Sequence, residues 1–205
     1  MAEGRRDHLY NGWIYHLAVD PVLGRARRLV RSRVRRGSSL IDMGCGTGAL
    51  LFSLADWCSD LVGVELSGRM WCYGRRRSEA LGLTGVRLIR GDATKLEAFP
   101  DGSFDYASAT MVLHEMPKER RSVLLSEMKR LARTLIIVDY RVPFTARLAG
   151  TFIRFVERLA GADHYRRFRS FVDLGGVLPL LERQGLTVAE EVPLHGGSLH
   201  LVRAA

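Results

Sequence analysis

Asp42-Met43-Gly44-Cys45-Gly46-Thr47-Gly48 follows the apolar pair Leu40-Ile41 and runs into Ala49-Leu50-Leu51-Phe52-Ser53-Leu54-Ala55. The pattern reads as a strand, a glycine turn and the first turns of a helix. Glycines there let the backbone turn tightly and let a ligand come close to the main chain. The helix start presents free N–H groups to that ligand. A nucleoside-type cofactor is the ligand such a turn is built to hold.

Two cofactor classes compete for the turn. Gly44-x-Gly46-x-x-Ala49 fits a dinucleotide fingerprint with alanine in its last place. Asp42 argues against it, because a pyrophosphate would face a carboxylate at the strand end. A ligand with an ammonium group and no phosphate would be stabilised by the same carboxylate. S-adenosylmethionine has that chemistry, and its sulfonium is cationic as well.

From Asp42 to Gly48 the chain resembles the first motif of the class I S-adenosylmethionine-dependent methyltransferases, without a gap. Four later stretches extend the resemblance from about residue 38 to 140. They are Val62-Gly63-Val64-Glu65-Leu66-Ser67, Leu88-Ile89-Arg90-Gly91-Asp92-Ala93, Phe104-Asp105-Tyr106-Ala107-Ser108-Ala109-Thr110 and Leu135-Ile136-Ile137-Val138-Asp139-Tyr140. The resemblance implies that Glu65 grips the ribose hydroxyls and that Asp92 bonds the adenine amino group. It places Asp42, Gly44, Cys45, Gly46, Gly48, Glu65, Leu66, Met70, Asp92, Ala93 and Thr110 around the cofactor. S-adenosyl-L-homocysteine would be the product, and no metal is expected.

Strands predicted near 38–43, 61–66, 86–90, 104–109 and 134–140 alternate with helices, so a doubly wound α/β fold is expected, Rossmann-like and mostly parallel, with helices on both faces. In such sheets ligands bind beyond the carboxyl ends of the strands. The family resemblance implies seven strands closing with an antiparallel hairpin, here Leu186–Pro193 and Ser198–Arg203 around Leu194-His195-Gly196-Gly197. The 205 residues suit a single domain, 1–205. Residues 1–36 read as an N-terminal helical cap containing Tyr10, Trp13, Tyr15 and His16, followed by an amphipathic helix over 21–35. On that helix Val22, Ala26, Leu29, Val30 and Val34 recur at helical spacing, with Arg25, Arg28, Arg31 and Arg35 on another side.

Residues 141–170 exceed a tight strand-to-helix connection. Phe144, Leu148, Phe152, Phe155, Val156 and Leu159 recur near helical spacing, with Arg147, Arg154 and Arg158 interleaved. This segment reads as a substrate lid or as a helix packed on the core. Tyr140, His164 and Tyr165 are candidate acceptor contacts. His114 follows the fourth strand in Leu113-His114-Glu115-Met116-Pro117 and, as a side chain titrating near neutrality, is the candidate catalytic base and a further acceptor contact.

Composition bounds the rest. Cys45, Cys58 and Cys72 form no Cys-x-x-Cys pair, which speaks for a reduced, cytoplasmic protein without a disulfide framework. No apolar run reaches membrane-spanning length and no signal core follows Met1. The net charge of +9 comes mainly from arginine, Lys95, Lys118 and Lys129 being the only lysines. That charge, beside an apolar lid, suits peripheral contact with an anionic membrane. It also leaves an RNA methyltransferase as an alternative, although no stable nucleic-acid partner is favoured.

The motifs of nucleobase-amine, cytosine-C5 and catechol-type metal-dependent methylators are missing. A small-molecule acceptor remains. The Leu113-His114-Glu115 run, Asp139-Tyr140-Arg141-Val142-Pro143 and the Gly175-Gly176 region look similar to quinone-biosynthesis C-methyltransferases, which implies a lipophilic, quinone-like acceptor. A non-catalytic S-adenosylmethionine-binding module is the remaining alternative. Oligomeric state is not legible.

Overall fold

The computed structural model describes residue 20 and residues 23–144 and 147–205. Of the cap expected over 1–36, residues 1–19 with Tyr10, Trp13, Tyr15 and His16, and residues 21 and 22, lie outside the described residues. Seven strands form one sheet: β1 (Ser39–Met43), β2 (Asp60–Glu65), β3 (Val86–Arg90), β4 (Phe104–Thr110), β5 (Ala132–Tyr140), β6 (Val188–Leu194) and β7 (Leu199–Ala204). Their order is β3-β2-β1-β4-β5-β7-β6. The first five run parallel, and β7 lies antiparallel between β5 and β6. The expected architecture, including the closing hairpin, is thus the one observed.

Strand alternation sorts the core into two layers, since successive side chains point to opposite faces. Ile41, Met43, Val62, Val64, Ala107, Leu135 and Ile137 pack on one face with Leu124, Leu125, Phe171 and Leu181. Those last residues come from α4 (Lys118–Leu131), α6 (Ala162–Asp173) and α7 (Val177–Arg183). Leu40, Leu61, Tyr106, Ile136 and Val138 pack on the other face with Ala26, Val30, Leu51 and Leu54, which belong to α1 (Gly24–Arg33) and α2 (Ala49–Leu54). By parity Asp42 shares the face of Leu40, and Asp139 shares the face of Ile137.

Two arginines of the expected face, Arg31 and Arg35, and Arg33 beside them pair within the fold. Arg31 pairs with Asp56 at 2.6 Å, Arg33 grips Glu190 at 2.7 Å, and Arg35 lies 3.7 Å from Asp105. These contacts join the helix and its end to neighbouring elements.

Between β5 and α7 stand two extra helices, α5 (Arg147–Leu159) and α6. The sides of α5 differ from the simplest reading of its apolar spacing. Phe152, Phe155, Val156 and Leu159 are exposed, at 67%, 58%, 43% and 68%, whereas Glu157 is 5% exposed. The helix turns its one acid inward because that acid has partners there, described below. Among the described residues, no helix is long and apolar enough to cross a membrane.

Gly63 shows how tightly β2 supports the glycine turn. A Cβ there would fall 2.5 Å from Leu51, 2.7 Å from the Cys45 sulfur and 2.8 Å from Leu88. Gly63→Ala should destabilise the protein by about 1–3 kcal/mol through overpacking, read as a lower urea midpoint with an unchanged denaturant slope.

Candidate active site

The turn after β1 is held open by glycine. Gly44 has φ +77°, and a Cβ on it would lie 2.7 Å from Val112, so the loop after β4 closes directly over the turn. Gly48, at φ +78°, starts α2 from a left-handed conformation that residues with a Cβ rarely adopt. Met111 has φ 58° although it is not glycine, a backbone outlier of the kind that clusters at functional sites. Ahead of α1, buried Asp20 accepts a hydrogen bond from the Thr47 hydroxyl at 2.8 Å. The segment entering α1 is thereby tied to the turn.

Two carboxylates border this turn. Asp42 is 2% exposed and accepts a 2.7 Å hydrogen bond from the Ser108 hydroxyl, its register neighbour on β4. Burial, opposed by that hydrogen bond and aided by the nearby charge of Glu65, pushes its pKa up to about 7. Glu65 ends β2 and accepts from the N–H groups of Gly46 at 2.8 Å and Ser67 at 2.7 Å. Its pKa is raised by burial first. The described partners of both are uncharged, so a cationic ligand would stabilise them.

The remaining cofactor candidates lie at the same sheet edge. Cys45 is buried with its thiol pKa driven up by burial, which suits a space-filler rather than a nucleophile. Met70 is buried in the first turn of α3 (Gly68–Ala80), with its Cε 3.4 Å from where a Cβ on Gly46 would sit. Leu66 is 64% exposed on the rim. Asp92 and Ala93 follow β3, and Thr110 ends β4. Asp92 already accepts from the Thr94 N–H at 3.0 Å and pairs with Arg120. Burial would raise its pKa, but the hydrogen bonds from Arg120 and Thr94 prevail and lower it.

A second cluster forms where the 3₁₀ turn Leu113–Glu115 meets β5 and the inserted helices. Asp139, fully buried, accepts from the N–H groups of Leu113 at 3.0 Å and of Tyr140 at 2.8 Å. It also lies 2.7 Å from Nδ1 of His114. Burial alone would lower the pKa of His114, but Asp139, followed by Glu115 and Glu157, holds it up to about 9. The ring therefore carries a proton at neutral pH. Glu157 of α5 accepts from the Tyr140 hydroxyl at 2.7 Å, pairs with His164 of α6, and lies 3.9 Å from Nε2 of His114.

Three of the four predicted acceptor contacts, His114, Tyr140 and His164, thus converge on Glu157. Tyr165 stands outside this polar cluster, stacked on Phe168 with the Arg158 guanidinium 5.4 Å from its ring centre. Sequence reasoning missed the roles of Glu157 and Asp139. The signal for Glu157 was present: it is the one acid in the apolar, arginine-bearing helix α5. It missed Arg121 too. This fully buried side chain donates to the carbonyls of Leu113 at 2.9 Å and Arg167 at 2.6 Å, and to Ser170 at 2.9 Å. Arg121 thereby pins α6 to the turn that carries His114.

Comparison with known proteins agrees with this geometry. A family model described as a methyltransferase domain matches residues 40–134. That match runs from β1 to the start of β5, the part of the chain that carries the glycine turn and Glu65. The chain is similar to the demethylmenaquinone methyltransferase of Geobacillus kaustophilus (strain HTA426), at 33% identity over 106 residues, 50% of this chain and 44% of that protein. The match spans less than half the length of this relative. The enzyme of the same name from Listeria monocytogenes serotype 4b (strain CLIP80459) is 25% identical over 185 residues, 81% of this chain and 77% of that one.

Among solved structures, an S-adenosylmethionine-dependent methyltransferase from Aquifex aeolicus superposes with a TM-score of 0.65 at 21% identity, covering 87% of this chain and 88% of its own. Magnesium protoporphyrin IX methyltransferase from Synechocystis PCC 6803, solved with bound S-adenosylhomocysteine, gives 0.63 at 20% identity, covering 90% and 82%. These likenesses bear on the fold.

The raised pKa of Asp42 has a consequence for stability. The folded chain holds this proton more tightly than an exposed aspartate, whose pKa is about 3.9. Its contribution is complete below about pH 4 and is lost as pH rises through about 7. Asp42→Asn should remove that slope, so the stability difference between wild type and variant should shift steadily against wild type between about pH 4 and about pH 7 in urea titrations.

Proposed function

We propose that the protein transfers a methyl group from S-adenosylmethionine to a small, lipophilic, quinone-like acceptor. The observation that carries the first half is the pair Asp42 and Glu65, a buried and a half-buried carboxylate flanking a positive-φ glycine turn at the carboxyl ends of β1 and β2. In this reading Asp42 faces the ammonium end of the cofactor, Glu65 the ribose, and Asp92 with Ala93 the adenine. Gly44, Cys45, Gly46 and Gly48 provide the main-chain approach, with Leu66, Met70 and Thr110 around the rest. S-adenosylmethionine, when bound, supplies an electrophilic methyl group on sulfur. The chain's own work is to align the acceptor and exclude water.

The acceptor side rests on the second cluster. Asp139 fixes Nδ1 of His114, which leaves Nε2 to meet the acceptor. A protonated His114 meets it as a hydrogen-bond donor. The base role expected from sequence requires that proton to leave first. Tyr140 and His164 line the same space through Glu157, with Tyr165 on its flank. The demethylmenaquinone methyltransferases among the relatives support a quinone-like acceptor. So does α5, whose exposed Phe152, Phe155, Val156 and Leu159 stand beside Arg154 and Arg158. That face suits an anionic membrane surface from which a lipophilic acceptor is drawn, with the protein otherwise cytoplasmic.

Glu65→Gln should weaken S-adenosylmethionine binding by roughly tenfold or more, the scale of a lost charge-assisted hydrogen bond, measured by calorimetry. Near-native affinity would remove Glu65 from the site. Methyl-labelled cofactor incubated with a fractionated cell extract should label the lipid fraction; label in RNA would overturn the acceptor class. The triple variant Phe152→Ser, Phe155→Ser, Leu159→Ser should lose sedimentation with anionic phospholipid vesicles while keeping cofactor affinity. Unchanged sedimentation would rule out α5 as the docking face.

A further inference from the structure

The side chains gathered under the inserted helices also form a set of metal-type donors. One ligand atom each from His114, Glu115 and His164 lies within 4.8 Å of the others. Nε2 of His114 is 3.8 Å from Oε1 of Glu115 and 3.9 Å from Oε1 of Glu157, and Glu157 also contacts Nε2 of His164. The four residues come from three elements: the 3₁₀ turn, α5 and α6. Donors held at roughly 2.0–2.2 Å from one ion lie some 3–4 Å apart, so the widest pair must close by about 1 Å to share a centre.

Three further features point to a cation. The cluster gathers three carboxylates, Asp139, Glu115 and Glu157, around two imidazoles. Asp139 also supplies what a ligating histidine requires behind it: a carboxylate on Nδ1 that orients the ring and leaves Nε2 for the ion. Finally, the site has a way in. The side chains of Glu115 and His164 are 31% and 15% exposed, whereas those of His114 and Asp139 are closed off at 2% and 1%.

We propose that His114, His164, Glu115 and Glu157 bind one first-row transition-metal dication of the Zn2+ type, with Asp139 as the orienting carboxylate behind His114. Two imidazoles with carboxylates select such an ion over Mg2+ or Ca2+, which take oxygen ligands. The ion would lock α5 and α6 onto the 3₁₀ turn. A remaining ligand position would accept an acceptor oxygen; that extension rests on the methyl-transfer reading, whereas metal uptake does not.

The test uses the untagged full-length chain, stripped with a chelator and titrated with Zn2+ by calorimetry and with Co2+ by visible absorption. One equivalent of Zn2+ should bind, Co2+ should develop ligand-field bands, and the melting temperature should rise. His164→Ala and Glu115→Gln should each weaken Zn2+ binding at least tenfold, while Glu79→Gln, exposed at the end of α3 and paired with Arg75, binds as wild type does. Wild-type protein that takes up no Zn2+ overturns the assignment without any variant. Equal affinity in His164→Ala and Glu115→Gln overturns it as well, by placing the ion elsewhere. Neither result bears on S-adenosylmethionine binding, which is measured separately on the same samples.

Discussion

The cluster under the inserted helices hangs on the carboxylate of Asp139. It is buried at the end of β5, and its two oxygens meet the N–H groups of Leu113, His114 and Tyr140 and the ring of His114. A buried carboxylate left without partners is strongly destabilising, by about 3–5 kcal/mol when one member of a buried pair is removed. Its partners are therefore not interchangeable. The loop after β4 must double back so that its amides face Asp139, and His114 must stand upright against it. Once His114 is fixed, Glu157 and His164 have a place to go, and α5 and α6 settle over the turn.

That constraint explains the orientation of α5. A helix with four large apolar residues on one side would ordinarily bury them. Here Glu157, hydrogen-bonded to Tyr140 and paired with His164, occupies the inward side, and Phe152, Phe155, Val156 and Leu159 face out. An inward acid with good partners and an outward apolar stripe are one choice seen from two sides. Arg121 reinforces it from below, since its guanidinium joins α4, α6 and the 3₁₀ turn through three hydrogen bonds.

The two clusters occupy opposite faces of the sheet at one edge. Asp42 has the parity of Leu40 and belongs to the layer of α1 and α2, whereas Asp139 has the parity of Ile137 and belongs to the layer of α4 and α6. Val112, packed against the Gly44 turn, and Met111, with its left-handed backbone, carry the chain from one side to the other. The glycine turn and the histidine cluster are thereby neighbours.

The fold and the glycine turn were legible in the sequence because both rest on local information. Alternating apolar runs mark strands, and glycines mark the turn where a side chain would clash. An acid at the end of a strand takes its place from the strand alone. All five parallel strands and the closing hairpin therefore fall where the pattern put them, and Asp42 and Glu65 stand at the sheet edge as expected. Glu157, Asp139 and Arg121 were not legible in the same way, because their partners lie far along the chain. Glu157 meets Tyr140 and His164 only once α5 folds back, and Arg121 reaches Arg167 and Ser170 across 46 and 49 residues. Which side of α5 faces inward was decided by burial of an ionic network assembled from three segments. That is a property of the tertiary structure, which helical periodicity cannot encode.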